Sequence, residues 1–369
     1  MSTLAVDAIV DSNNGNTTTI NGATPTAYNT MGKNRIINGA MEIDQRNAGA
    51  SVAFTSNAYS LDRWVGAVGT ASGTTIQRST TSTAGFSNSA LITIGTGASP
   101  AAGAVNRIYQ VVEGYNIADL AWGTASAATV TLSFWVRSSV TGTFSGAMYG
   151  ASTIQSYLFT YSISSANTWV QKTVTVTGPT TGTWDSTNGT GVYVNFDLGS
   201  GSTFKNTAGA WVTGTYIGAT GATDLCTTSG ATFYITGVQL EAGSVATEFE
   251  RRPYGTELQL CQRYYYQTWG NGSFSNIGSG YVGQVLPSAN NNSSYGSSNF
   301  PVSMRATPTV TLYDSLGSSG TVSQPAVANG LAAVAGNISV TGFYNVTKSS
   351  TTFTVGTPVI CQYTAAIEL

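Results

Sequence analysis

Between residues 35 and 250 apolar side chains recur at every second position in short runs, and Gly, Ser, Thr and Asn separate the runs. "VTLSFWV" sets Val130, Leu132, Phe134 and Val136 on one face, and "GVYVNFDL" does the same with Val192, Val194, Phe196 and Leu198. A period of two marks a strand with one buried face. "RIINGAMEI", "SALITIG", "RIYQVVE", "SYLFTYSI", "WVQKTVTV" and "TFYITGVQL" read alike, giving about eight to ten strands with no helical pattern between them. The prediction is an all-β fold, with two antiparallel sheets packed as a jelly-roll β-sandwich.

After Pro253 the pattern changes. Thr256 with Gln259 reads as a helix cap, and Leu258, Cys261 and Tyr265 share a stripe, so a short linker helix is expected within 255–269. Beyond it, "YVGQVLP", "TPTVTLYD", "NISVTGFYNVT", "TTFTVGT" and "VICQYTAAIEL" predict a smaller C-terminal β-domain over 270–369. Residues 1–34 alternate briefly at Leu4, Val6 and Ala8 and then become Asn/Thr/Gly-rich, with little to bury alone; they read as an extended N-terminal attachment arm. The jelly roll is then assigned to 35–254.

Composition narrows the partners. The chain has 369 residues, 41% hydrophobic but only 8% charged, with a formal net charge of −2. That supplies apolar material for two cores, and without a Lys/Arg cluster there is little to release counterions from a nucleic acid. No apolar run approaches the roughly 18 to 20 residues of a membrane span, so no membrane insertion is expected. "MSTLAVD" lacks a cationic region followed by an apolar core, and synthesis in a host cytoplasm is the expectation. Cys226, Cys261 and Cys361 are odd in number and widely spaced, which predicts buried thiols and neither a disulfide framework nor a zinc site.

The chain contains no histidine. Ser-His and Cys-His catalysis and histidine metal ligation are therefore excluded. A glycosidase needs only two carboxylates, for which Glu113 with Asp119, or Asp185 with Asp197, are the candidates; the simpler reading is solvated turn and strand acids. No short internal repeat of the β-helix kind occurs. "GSGSTF" and "GTGASP" lack the strand and helix of a nucleotide loop and read as turns. The expectation is a protein without enzymatic activity or cofactor.

Binding chemistry points to aromatic residues in polar loops, because sugar C–H patches stack on aromatic faces while amides bond the hydroxyls. Trp122, Trp184, Trp211 and Trp269 stand in Gly/Thr/Ser-rich segments, and Tyr266, Tyr281, Asn291 and Tyr295 in distal ones. Each also fits packing beneath a loop. Trp64 of "LDRW" reads as core, with Asp62 and Arg63 in an ion pair or turn.

One stretch, "GVQLEAGSVATEFERRPYGTELQLCQRYYY" at 237–266, gathers Glu241, Glu248, Glu250, Arg251, Arg252, Glu257 and Arg263 in a chain of only 14 basic and 16 acidic residues. It reads as a structural joint, centred on Glu250, Arg251, Arg252, Glu257 and Arg263. The strand "GVQLEAG" ends there, a turn carries pairing charges, and the helix begins.

Several stretches together resemble bacteriophage tail fibre or tail-tip proteins built around a carbohydrate-binding-module-like jelly roll. "NRIINGAMEIDQRNAG" with "YSLDRW" is similar to the opening of such modules, and "VTLSFWVRSSVTGTFSG" with "NTWVQKTVTVTG" to their central strands. The joint stretch is similar to their exit into a distal domain, "FPVSMRATPTVTLYD" and "YTAAIEL" to that domain's first and last strands, and "STLAVDAIVDSNNG" to a virion-attachment start. The resemblance implies a virion protein, homotrimeric, bound to other phage tail proteins by its N-terminal arm and to a host-surface glycan or receptor by its C-terminal half. Its alternatives are a purely structural neck or capsid appendage and a polysaccharide-degrading tailspike. In the family an acid soon after Asn-Gly often shares calcium with an Asp of the last strand; here Glu42 stands at the first position, but Gly237 stands at the second, with Glu241 displaced.

Overall fold

The protein is described by a computed structural model covering residues 32–54, 58–152, 154–270, 284–287, 290–350 and 352–369. Apart from residues 32–34, the arm lies outside the described residues, as does Tyr281.

The alternating segments form two facing antiparallel sheets. One has six strands in the order Val52–Ala53, Thr75–Ser79, Ser89–Thr93, Thr232–Ala242, Val130–Ser138, Val170–Val176. The other has seven, in the order Trp211–Thr213, Gln155–Ile163, Gly142–Tyr149, Thr190–Asp197, Asn106–Glu113, Trp64–Val68, Ala58–Leu61. Val130, Leu132, Phe134 and Val136 are fully buried from one sheet, and Val192, Val194, Phe196 and Leu198 from the other. Phe134 meets Phe196 edge-on at 4.9 Å and Tyr161 at 5.1 Å, so the layers interlock through rings. Each such burial stabilises by about 1.5–3 kcal/mol, which fixes the register of every strand.

"RIINGAMEI" departs from its predicted strand. It is a tight loop organised by Asn38, whose left-handed backbone (φ 57°) and carboxamide replace a ladder. Its Nδ2 donates to the carbonyls of Ile43 (2.8 Å) and Asp62 (3.0 Å), and its Oδ1 accepts from Ile43 N–H (2.9 Å). Ile36, Met41 and Ile43 are nonetheless buried, so the apolar pattern was right about burial and wrong about conformation. Trp64 is core, as expected, its indole N–H donating to the Asn38 carbonyl at 3.0 Å. Asp62 and Arg63 occupy a turn but do not pair with each other. Asp62 lies 3.6 Å from Arg46, and Arg63 reaches Glu368 at 2.5 Å.

The helix spans Tyr254–Gln262 and starts earlier than its predicted cap. Pro253 occupies the cap position, and Thr256 is an exposed helical residue. Tyr265 falls beyond the helix, in the strand Tyr265–Gln267; Tyr264 takes the buried place beside Cys261.

The distal sheet is organised by Val359–Ala366, which pairs with Tyr265–Gln267, Gln284–Leu286, Thr309–Tyr313 and Thr321–Gln324. The sheet continues through Ala328–Gly336 and Gly342–Lys348 to Ser293–Asn299. Leu312, Val322, Phe343, Val346 and Tyr363 form its own core. Residues 352–357 of "TTFTVGT" form a loop: Gln324 occupies the bonds a ladder would use, donating to the Thr354 and Thr357 carbonyls (3.1 Å each) and accepting from Thr354 N–H (2.8 Å).

Candidate functional site

The charge-rich stretch is a joint built from backbone as much as from ion pairs. Glu250 accepts from the backbone N–H of Gly32 (2.6 Å) and Asn34 (2.7 Å). Arg252 donates to the carbonyls of Asn34 and Ile36 and lies 3.3 Å from Glu257, whose other oxygen accepts from Asn38 N–H. Arg263 bridges to Glu113, at 2.6 Å between Nη2 and Oε1. Arg251 behaves differently: it is exposed, with its guanidinium 4.8 Å from the Phe86 ring centre and 5.8 Å from that of Phe249. Two residues outside the predicted set complete the joint. Arg305 donates to the carbonyls of Asn188 (2.6 Å), Ile367 (3.2 Å) and Glu368 (3.2 Å), and the Glu368 carboxylate spans Arg46 (2.7 Å) and Arg63 (2.5 Å).

The joint is a poor receptor for a ligand. Its cavity, lined by Asn34, Asn38, Glu42, Glu250, Arg252 and Glu257 among others, holds about 30 Å³, room for a few water molecules. Nor do its residues suit calcium. Arg251 and Arg252 line the same space, and Gly237, with φ 59°, has Phe86 and Trp135 where a side chain would go. Among the described residues no cluster of three metal-ligating side chains occurs.

The candidate catalytic carboxylates are each engaged elsewhere. Glu113 accepts from Arg263 and from the Tyr264 hydroxyl (2.5 Å), and Asp119 pairs with Arg35 at 2.6 Å. Asp185 accepts from Thr187 N–H and Oγ–H, both at 2.7 Å. Asp197 is buried and accepts from the N–H groups of Ser200 (2.8 Å) and Gly199 (3.2 Å).

The loop tryptophans come together. Trp122, Trp184 and Trp211 meet edge-on with ring centres 4.9, 5.8 and 5.5 Å apart. Trp122 is buried, donating to the Ala128 carbonyl at 2.9 Å; Trp184 and Trp211 are half-buried and donate to the Thr181 (3.3 Å) and Thr177 (2.7 Å) carbonyls. With N–H groups committed to their own loops, these indoles seal the sandwich edge, and Trp122 is core where sequence offered it as a platform. On the outer face of the seven-stranded sheet Tyr149 and Tyr193 stack at 4.4 Å, and the Arg107 guanidinium lies 4.2 Å from the Tyr109 ring centre. This face is partly covered by Ala208, Val212, Tyr216 and Leu369, and burial pushes the Tyr149 phenol up to about 12.

Distal candidates divide. Tyr266 packs on Tyr363 at 5.8 Å, and Trp269 on Tyr313 at 5.1 Å, all but Tyr363 half-buried. Asn291 is exposed in the turn before Ser293–Asn299, its carbonyl accepting from Phe353 N–H at 3.0 Å. Tyr295 is 39% exposed, and its ring centre lies 6.1 Å from that of Tyr344, 49% exposed, at 42° between planes. Among the described residues this is the pair of neighbouring rings in which both are exposed. A register shift between Tyr295 and Ser298 locally breaks the edge ladder beside Tyr295, the device by which bulges re-aim side chains.

Asn345 pairs in register with both Tyr295 and Gly336. A Cβ at 336 would lie 2.5 Å from Asn345 Oδ1, so the missing side chain is what admits this carboxamide. Its Nδ2 donates to Thr347 Oγ1 at 3.0 Å, and its Oδ1 has no hydrogen-bond partner. Two tilted exposed rings can stack a flat apolar face; the Asn345 oxygen is enclosed against Gly336 on the neighbouring strand. The sequence reading had named Tyr295 but missed Tyr344 and Asn345. The available signal was the alternation in "GFYNV", where Phe343 points in and Tyr344 out.

No family model matches the chain, and no curated protein matches it. Among solved structures, similarity is found to the enzymatically active domain of bacteriophage CBA120 tailspike protein 4, at 13% identity and TM-score 0.33, over 57% of this chain and 21% of that one. The C-terminal family 22 carbohydrate binding module of Clostridium thermocellum Xyn10B is similar at 14% identity and TM-score 0.29, over 51% and 91%. The CBM22-1 xylan-binding domain of Paenibacillus barcinonensis Xyn10C follows at 10% and 0.28, over 54% and 99%. At these scores the likeness assigns neither ligand nor partner, and the site is read from its own residues.

Proposed function

We propose that this chain is a non-enzymatic virion adhesin of the phage tail-fibre kind, and that its distal sheet holds a host-surface glycan on Tyr295 and Tyr344. The observation that carries the reading is the exposed ring pair at the edge of the distal sheet. Stacked C–H faces and a few amide bonds give weak single-site affinity, which copies in one particle multiply through effective concentration. The virion end is assigned to residues 1–34, on the strength of the sequence alone, and the assembly to three copies on the same ground.

The test compares wild type with Tyr344→Ala and Tyr295→Ala for binding to host cells and to a glycan array, with Tyr115→Ala as an exposed-tyrosine control. The reading expects loss of binding in the first two with an unchanged unfolding midpoint, and no change in the control. Retained binding in both site variants would defeat it. Absence of host binding by the intact, assembled wild type would favour a structural appendage, and shortened host polysaccharide after incubation would favour a depolymerase.

A further inference from the structure

The distal domain is nearly devoid of charge, and the few charges it has bear on the class of sugar proposed for it. From 270 to 369 the sequence holds Arg305, Asp314, Lys348 and Glu368 and no other charged residue. Arg305 is committed to three backbone carbonyls at the joint, and Glu368 to Arg46 and Arg63. Asp314 is buried, accepting from the N–H groups of Leu316, Ser318 and Gly330, each at 2.9 Å. Lys348 alone is left near the sheet surface, its Nζ 3.4 Å from Thr352 Oγ1. It stands four residues along the strand from Tyr344, about 13 Å between backbone positions at the rise of a strand.

Building on the glycan reading above, we propose that the Tyr295–Tyr344 face takes uncharged saccharides and discriminates against acidic ones. A uronate or sialate carboxylate seated on these rings would lose hydration without meeting a cation, and burying an uncompensated charge is costly. The ring faces are themselves electron-rich, which adds repulsion. A neutral sugar meets none of these penalties. Affinity then comes from stacking and neutral hydrogen bonds, neither of which salt screens.

The intact chain is assayed against neutral oligosaccharides and against acidic ones of equal length, from about 50 to about 500 mM salt. Expected are binding to neutral members with less than about a twofold change across that range, about a tenfold loss in Tyr344→Ala, and no change in Lys348→Ala. Preference for acidic members, affinity that falls severalfold with salt, or loss of binding in Lys348→Ala overturns this inference while leaving glycan adhesion standing. Binding to no sugar of either kind overturns both.

Discussion

Arg263 and Glu113, 150 residues apart in sequence, form a two-pronged pair: Nε and Nη2 of the guanidinium donate to the two carboxylate oxygens at 3.0 and 2.6 Å. The carboxylate is buried at the end of a sandwich strand, and the guanidinium stands just past the helix. This pair ties the exit of one body to the frame of the other. Arg263→Ala leaves Glu113 with the Tyr264 hydroxyl alone and should cost about 2 kcal/mol. Adding Glu113→Gln should recover part of that loss, because no lone charge is then buried. Urea unfolding of the single and double variants reads both; strictly additive losses would contradict the coupling.

The adjacent arginines should separate sharply. Arg252→Ala removes the donor to the Asn34 and Ile36 carbonyls and should lower stability by about 2 kcal/mol, with faster proteolysis near residues 32–36. Arg251→Ala removes only a guanidinium resting on Phe86 and Phe249, a loss of about 1 kcal/mol or less. Equal losses in the two variants would show that the clamp is misassigned.

Acidity should act on the joint through Glu42. Burial first, and then the neighbouring Glu257, holds its carboxyl above the ordinary range, partly offset by Arg251. A carboxyl raised on folding stabilises fully below its unfolded value, and the contribution is lost as pH rises through the folded value. Glu42→Gln, neutral throughout, should match wild type near pH 4 and exceed it near pH 7, by less than about 1 kcal/mol because the group is partly exposed. Unfolding midpoints at the two pH values check the sign; a variant weaker than wild type at neutral pH would refute it.

Cys226, Cys261 and Cys361 are buried, and burial pushes the Cys226 and Cys361 thiols up to about 12 and that of Cys261 well above its ordinary value. The native protein should resist alkylation at about pH 8, whereas the unfolded chain should label at all three positions. Mass spectrometry before and after denaturation measures this, and native labelling at any of the three would place that thiol nearer the surface.

The sandwich was legible because its strands carry a strict period of two with large side chains, and a one-residue slip would expose Phe134 or Phe196. The loop at Asn38 was not, since its apolar spacing imitates a strand and only a left-handed backbone reveals it. The distal strands Ser293–Asn299 and Ala328–Gly336 were missed because Ser, Asn, Gly and Ala carry little alternation. At the candidate site, exposure brought Tyr295 to notice in a polar loop-like string, whereas Tyr344 was hidden in a segment read as ordinary strand. Asn345 depends on Gly336, nine residues away and on the neighbouring strand. Local pattern carries no trace of such a pairing.

The described end of the arm and the residues that follow it run beside the last sandwich strand: Arg35 N–H donates to the Leu240 carbonyl at 2.9 Å, Val238 N–H to the Gly39 carbonyl at 3.0 Å, and the Asn34 side chain to the Val238 carbonyl at 3.1 Å. Glu250 and Arg252 hold the same segment from the other side. On the adhesin reading proposed above, a pull through the arm would load these bonds side by side, in shear. In that loading the bonds to Val238 and Leu240 would hand part of the force to the sandwich strand, and Glu250 and Arg252 would share it with the joint.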